Sequence, residues 1–334
     1  MTHATFKLAH AGPFLSLQDR GRFGYMRYGV TPSGPMDRAS HAIAHTAAQA
    51  EGAILEVSLG GLTLVCTSGE TTAAVAGGAF NITLDGAAQS AWSSFTLREG
   101  SKLTIRPGPW GSWCYLAFAG RIKAPTWLGS QSTHLDTGLC GLPLSQDHVL
   151  HVENARVLPD RNGPIIDPDP LRPDKTTRLV LGPQDRFFTA PSLAKLTQQP
   201  FTLTPDYNRM GVRLSGPKLE INAELTMPSE PIARGSLQVP GHGDPICLMA
   251  DHQTTGGYPK IATVISADMD AFTQRRVGDT FRFKAVSPQE ANKAARDRAG
   301  LLMRLNTQIQ EQRISLEQRL WTENLISGVI GPDV

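Results

Sequence analysis

The chain has 334 residues, 40% of them hydrophobic and 19% charged, so it can bury a sizeable core and does not have the composition of a disordered polypeptide. Its formal net charge of +2 gives no electrostatic reason to expect nucleic acid or a membrane surface as partner. The four cysteines, Cys66, Cys114, Cys140 and Cys247, include no C-x-x-C pair, which argues against a disulfide framework and against a zinc site. The N-terminus carries no basic segment followed by an apolar stretch, and no apolar run is long enough to span a bilayer, so a cytoplasmic location is expected.

Glycines and prolines are numerous and spread out, as a chain of many short strands and turns requires. After Thr31-Pro32-Ser33-Gly34-Pro35, Asp37 is placed to cap an alanine-rich helix over roughly 38–50. Asp37, His41 and His45 would share one face of it. Without an H-E-x-x-H pattern or a nearby cysteine, an N-cap with two half-exposed histidines is expected there and no metal. Strand signals follow at Ile54–Val57, Leu62–Cys66, Ala73–Ala76, Phe80–Leu84, Phe95–Leu97, Leu103–Ile105, Trp113–Phe118 and Val149–Val152. Their spacing predicts a barrel or sandwich, and Asp85-Gly86 is a hairpin cue. The hydroxyl-rich loop Gly129-Ser130-Gln131-Ser132-Thr133-His134 lacks the G-x-S-x-G elbow of a Ser-His nucleophile.

Residues 158–177, rich in proline and mixed charge, read as a linker between an N-terminal β unit (1–157) and a second β unit (178–286). A short helix is predicted near Ser192–Thr197. In Tyr207-Asn208-Arg209-Met210-Gly211-Val212-Arg213 two arginines flank a glycine, either as surface charges or as an anion-recognition pair. The stretch 246–265 reads as two buried strands joined by a tight loop, Asp251-His252-Gln253-Thr254-Thr255-Gly256-Gly257-Tyr258-Pro259-Lys260. That loop is dense in hydrogen-bonding side chains, and its Gly pair lets a ligand or chain approach the backbone closely, so it reads as a binding loop. From Ser287 to about 325 the composition turns helical, after a Ser-Pro-x-Glu start and with Leu301, Leu302, Leu305, Ile309, Leu316 and Leu320 on a ragged stripe. No P-loop, no Rossmann fingerprint and no Met-Lys-Met biotin-attachment tripeptide occurs, so ATP or biotin would be supplied by another chain.

Four blocks carry a family resemblance: 17–22 through 29–37, Gly129–Thr133, Asn208–Leu214, and Ser229-Glu230 through Gln238–Gly241 and the 251–259 loop to Gly278-Asp279. In that order they are similar to the family that joins the C subunit of prokaryotic 5-oxoprolinase, the Kip-type kinase-inhibitor antagonist and allophanate hydrolase subunit 2, often labelled biotin-dependent carboxyltransferase. The chain departs from the pattern at Gln131, where arginine is usual, and at Gly141-Leu142 and Gln146-Asp147.

The resemblance implies a mainly β fold of two cyclophilin-like β-barrel units with a few short helices and a C-terminal helical segment, 287–334. It implies a heteromeric enzyme that opens 5-oxo-L-proline to L-glutamate with ATP, bound with Mg by the complex. The implied partners are an A subunit of the LamB/YcsF type and a B subunit resembling the Kip-type inhibitor. Biotin-dependent carboxyl transfer to urea and regulation of a Kip-type inhibitor are the rival functions. Lactam opening needs a group that polarises the carbonyl and a base for water. Asp19, Arg20, Asp37, Asp251 and Lys260 are the catalytic candidates within the matching blocks. Ser130, Thr133, Arg209, Gln238, Gln253, Thr254, Gly256, Gly257 and Tyr258 are the candidates for substrate binding.

Overall fold

The computed structural model describes residues 2–141, 143–166, 169–222 and 228–311. The predicted strands of the first unit all form, within a residue or three of their expected ends. They build two sheets. One, of seven strands, runs Arg121–Ile122, Val149–Glu153, His3–Ala11, Leu62–Ser68, Lys102–Arg106, Asn81–Leu84 and Ala87–Gln89. The other, of six strands, runs Gly163–Pro164, Ser93–Arg98, Glu70–Ala76, Trp113–Phe118, Ile54–Ser58 and Ser16–Gln18. Phe6, Leu8, Leu64 and Leu103 from the first sheet and Leu55, Val57, Val75 and Leu116 from the second form one buried cluster, so the sheets face each other across a common core. At the Asp85-Gly86 turn both residues have positive φ (52° and 85°), the geometry that joins two antiparallel strands tightly.

The second unit closes as a seven-stranded barrel: Thr176–Leu181, Lys260–Val264, Ser236–Gln238, Ile246–Leu248, Gly211–Ser215, Pro200–Tyr207 and Thr280–Ala285. The mainly β expectation therefore holds, with the closed barrel in the second half and two facing sheets in the first. One local expectation does not hold. Ile246–Leu248 and Lys260–Val264 are not hairpin partners, because Ser236–Gln238 lies between them and pairs with both. Their apolar sequences announce buried strands but carry no information on which strand each pairs with. The intervening loop instead crosses one end of the barrel, where Thr255–Gly256 pairs with Glu230–Pro231.

Four α-helices complete the described fold. Helix α1 (Arg38–Ala48) starts at Asp37, whose side chain accepts from the Ser40 N–H. Helix α2 (Ala190–Gln198) is capped by Thr189, and α3 (Ser266–Thr273) follows the Lys260–Val264 strand. Helix α4 (Pro288–Glu311) begins with a reciprocal cap: Glu290 accepts from the Ser287 N–H at 2.8 Å, and Ser287 Oγ accepts from the Glu290 N–H at 3.2 Å. Leu316 and Leu320 of the anticipated helical stripe lie outside the described residues.

The two units are not separate bodies. The outer face of the six-stranded sheet (Ala74, Ala76, Trp113, Tyr115) and the apolar side of α1 (Ile43, Ala44, Ala47) share one buried cluster with barrel residues such as Leu237, Met249 and Phe272. The segment between them joins in, because Gly163–Pro164 pairs with Ser93–Ser94 and Leu171 is buried in the same cluster.

Candidate functional site

The structure sorts the sequence candidates into three groups. The first surrounds an open cleft of about 680 Å³ beside α1, lined among others by Asp19, Arg20, Phe23, Arg38, His41 and His45. Asp19 sits on the loop after Ser16–Gln18, and its carboxylate organises that region. One oxygen accepts from the Gly21 N–H (2.8 Å), Ser130 Oγ (2.6 Å) and Ser132 Oγ (2.7 Å), and the other from the Gln131 N–H (2.7 Å). Burial works against the charge, but these donors outweigh it and hold the carboxyl below its usual range. Asp19 is thus an ionised anchor, with Arg20 exposed next to it.

Ser130 and Thr133 are buried and serve the same loop. Ser130 donates to Asp19, and the Thr133 N–H donates to Leu17 O at 2.9 Å. The departure at Gln131 is also turned inward: its amide oxygen accepts from the Ala53 N–H at 3.0 Å and its nitrogen donates to Ala124 O at 3.1 Å. Arg22, 1% exposed, links the first and second sequence blocks by donating to Ser33 Oγ and to Ser132 O.

The two histidines of α1 face this cleft. His41 is buried rather than half-exposed, and its Nε2–H donates to Gln18 O at 2.9 Å. Burial is the main force lowering it to about 4, so the ring is neutral at physiological pH with Nδ1 as acceptor. His45 stacks on it with ring centroids 6.0 Å apart, and burial followed by the charge of Arg20 keeps it below its ordinary value. The cleft therefore combines guanidinium groups that can hold an anion with uncharged imidazoles that can accept a proton. Among the described residues no group of three His, Cys, Asp or Glu side chains could hold a metal ion.

The second group is a buried clamp between the units. Arg209 donates from Nε and Nη2 to the two oxygens of Asp251 (2.8 and 3.0 Å), to Glu56, and to Gly34 O at 2.7 Å. Glu56 in turn accepts from the Met36 N–H (2.7 Å) and Tyr115 Oη (2.8 Å). Asp37 accepts from the Ser40 N–H (2.9 Å), Ser40 Oγ (2.5 Å) and Gln274 Nε2 (2.7 Å). All of these side chains are buried with their oxygens engaged, so in this structure Asp37, Asp251 and Arg209 serve to hold the two units together. The catalytic candidates Asp37 and Asp251 and the binding candidate Arg209 thus lie in this buried network and not on the open cleft. Arg213, the other arginine of that block, pairs at the surface with Asp206 at 3.3 Å.

The third group lies at the barrel end. Gln253 and Tyr258 are exposed, Thr254 and the Gly256-Gly257 pair half-buried. Beneath them Lys260 is buried, donating to Glu230 at 3.2 Å and to Pro231 O at 2.9 Å, while Gln184 donates to the same Glu230 oxygen at 2.6 Å. Lys260 is thus committed to holding the loop base, and its ammonium is not offered to a ligand. Gln238 is buried directly under Gly256, where an added Cβ would lie 2.4 Å from its amide nitrogen.

Sequence reasoning passed over Glu56, Tyr115 and Arg38, and read His45 as incidental. Glu56 had a legible signal, since it is the one charge in the apolar run Ile54-Leu55-Glu56-Val57, and a charge buried in a central strand needs a partner from elsewhere. Arg38 had none, because a single arginine at a helix start is ordinary.

Barrel, facing sheets and cleft together define the class: a two-unit β protein that presents a cation-bearing cleft of small-molecule size. The family described as "Carboxyltransferase domain, subdomain A and B" matches residues 28–285, and the chain belongs to it. It is similar to the 5-oxoprolinase C subunit of Haemophilus influenzae, 37% identical over 288 residues that cover 84% of this chain and 91% of the relative. Among solved structures it resembles TTHA0988, with a TM-score of 0.74 and 31% identity; the match covers 84% of this chain and 55% of that one. It also resembles the Kluyveromyces lactis urea amidolyase, with a TM-score of 0.80 and 25% identity, covering 91% of this chain and 20% of that one. The chain therefore spans nearly all of the Haemophilus relative, about half of TTHA0988 and a fifth of the yeast enzyme.

Proposed function

We propose that the chain is one component of an ATP-dependent 5-oxoprolinase complex, acting on the cyclic amide 5-oxo-L-proline to give L-glutamate. The observation that carries this reading is the nearly end-to-end match to a protein named as the C subunit of 5-oxoprolinase, where the urea amidolyase match covers a fifth of that enzyme. The cleft chemistry supports it. 5-Oxoproline is a small carboxylate with a lactam, and Arg20 and Arg38 line a cleft able to hold its carboxylate. Lactam opening breaks the ring C–N bond, adds water's hydroxyl to the carbonyl carbon and delivers a proton to the nitrogen. A neutral His45 imidazole is suited to take the proton from that water.

The exposed Gln253 and Tyr258 serve as contacts for substrate or for a neighbouring polypeptide at the barrel end. ATP, with Mg, is a co-substrate of the assembled complex. The partners are an A subunit of the LamB/YcsF type and a B subunit resembling the Kip-type inhibitor, in the cytoplasm. No described helix is long and apolar enough to cross a membrane. The test is ATP-dependent glutamate release from 5-oxoproline by this chain purified with both partners, and with each omitted in turn. Turnover that survives omission of this chain refutes the reading.

Carboxyl transfer is the second reading, favoured by the family description and by the urea amidolyase structure. The sequence has no Met-Lys-Met tripeptide, so biotin would arrive on another chain. Transfer of a carboxyl group from biotinylated carrier to urea, with no glutamate release, would select it.

A further inference from the structure

A second cleft, of about 740 Å³, is bounded by α4, α3 and the barrel strand Thr176–Leu181. Its lining is rich in cations: Arg172, Arg275, Lys284, Arg298 and Arg304, besides Arg178. Three acids share the lining, and two of them are already engaged. Asp268 holds Arg178 in a bidentate pair (2.6–3.2 Å), and Asp297 pairs with Lys293 outside the cleft at 2.8 Å. The third, Asp174, accepts from the Lys175 N–H at 2.5 Å. Among the described residues none of the other five cations has a carboxylate within ion-pair distance.

Two of those cations have nitrogens withdrawn from water without a partner among the described residues. Arg275 is 5% exposed, and its Nη2 donates to Asp174 O and Thr177 Oγ1 while Nε has no acceptor. Arg298 Nε is likewise buried and unpaired. A buried guanidinium with an unused donor is unfavourable unless an acceptor completes it. Burial lowers Arg275 only to about 10, so it remains charged at neutral pH. Arg298, Leu301 and Arg304 recur at helical spacing along the side of α4 that faces the cleft, adding charge to one wall.

We infer that this cleft binds a small anion rich in phosphate, such as pyrophosphate or the polyphosphate tail of a nucleotide. Five cations with no direct ion pair among the described residues, in excess of the three carboxylates that share the lining, match an oxyanion of several charges better than a single carboxylate, and the volume admits a ligand of nucleotide size. The inference does not depend on the reaction proposed above, since binding is measured on this chain alone.

The experiment is calorimetric titration of the full chain with pyrophosphate, with ATP without metal, and with sulfate at matched ionic strength. The expected result is a sub-millimolar Kd for pyrophosphate, weakened about tenfold or more in Arg298→Gln/Arg304→Gln and unchanged in Arg20→Ala. The two substituted positions are on α4 and glutamine is a good helix former, so the variant's unfolding temperature should match the parent's and exclude misfolding. ATP tighter than pyrophosphate identifies a nucleotide as the source of the phosphates, and equal affinity identifies free polyphosphate. No binding at about 10 mM, sulfate binding as tightly as pyrophosphate, or loss of binding in Arg20→Ala instead of the α4 variant would each overturn the inference.

Discussion

Replacing Arg209 by methionine keeps most of the side-chain volume and removes the charge that two buried carboxylates share. Asp251 loses the donor that serves both of its oxygens, while Glu56 keeps the Met36 N–H and Tyr115. Breaking one buried ion pair from one side costs about 3–5 kcal/mol, and two carboxylates are stranded here, so the upper part of that range is expected. In a chain of 334 residues that lowers the unfolding temperature by roughly 6–7 °C. The deficit should depend on pH with a defined sign. Burial already raises Glu56 against the opposing pull of Arg209, and without the guanidinium it titrates higher still. A group raised in the folded state contributes stability below its unfolded pKa and loses it as pH rises through the folded one. The loss in Arg209→Met is therefore smaller near pH 5 than near pH 8. Urea unfolding of parent and variant at both pH values measures it. A deficit below about 1 kcal/mol, or one equal at the two pH values, would show that the clamp is not an electrostatic joint.

Three further outcomes are expected. Asp37 is raised to about 6, by burial and then by Asp270, so its contribution is full below about pH 4 and is lost as pH rises through about 6. Asp37→Asn should flatten the urea midpoint of unfolding between those values, and an unchanged slope would contradict it. Arg20→Ala removes an exposed side chain and should alter stability by less than about 0.5 kcal/mol while lowering kcat/KM of the assembled complex at least tenfold; equal loss of both would point to folding. Gly256→Ala forces a methyl against the Gln238 amide and should cost about 1–3 kcal/mol, much of it recovered in Gly256→Ala/Gln238→Ala. A double-mutant cycle coupling near zero would mean the two residues do not confront each other.

Local structure was legible in the sequence because it rests on local rules. Asp37 as a cap, Asp85-Gly86 as a hairpin turn and Ser287–Glu290 as a helix start are short-range hydrogen-bond patterns, and each is present. Pairing between distant strands was not legible, which is why the runs flanking the 251–260 loop look like a hairpin and are not one. The site was legible in part. Asp19 and Arg20 stand at the cleft, but acids that look available in the sequence, Asp37 and Asp251, meet partners far along the chain: Gln274 and Arg209. Whether an acid is free or engaged depends on contacts that no local pattern encodes. His41 and His45, read as incidental, are brought to the cleft wall because α1 packs its apolar side inward.

The clamp and the shared core bear on how a substrate could be enclosed. Relative motion is the default for two units joined by a polar interface, but here the interface is apolar, continuous with the barrel core and pinned by Glu56–Arg209–Asp251. Hinge bending would have to tear that ion triad from its burial, which favours the two units moving as one body. Segments that carry few buried contacts, residues 23–30 with exposed Phe23 and Tyr28 and the 253–258 loop, or a second polypeptide laid over the cleft mouth, are what could enclose a ligand. The chain is then a rigid platform, and any closure belongs to what lies over it.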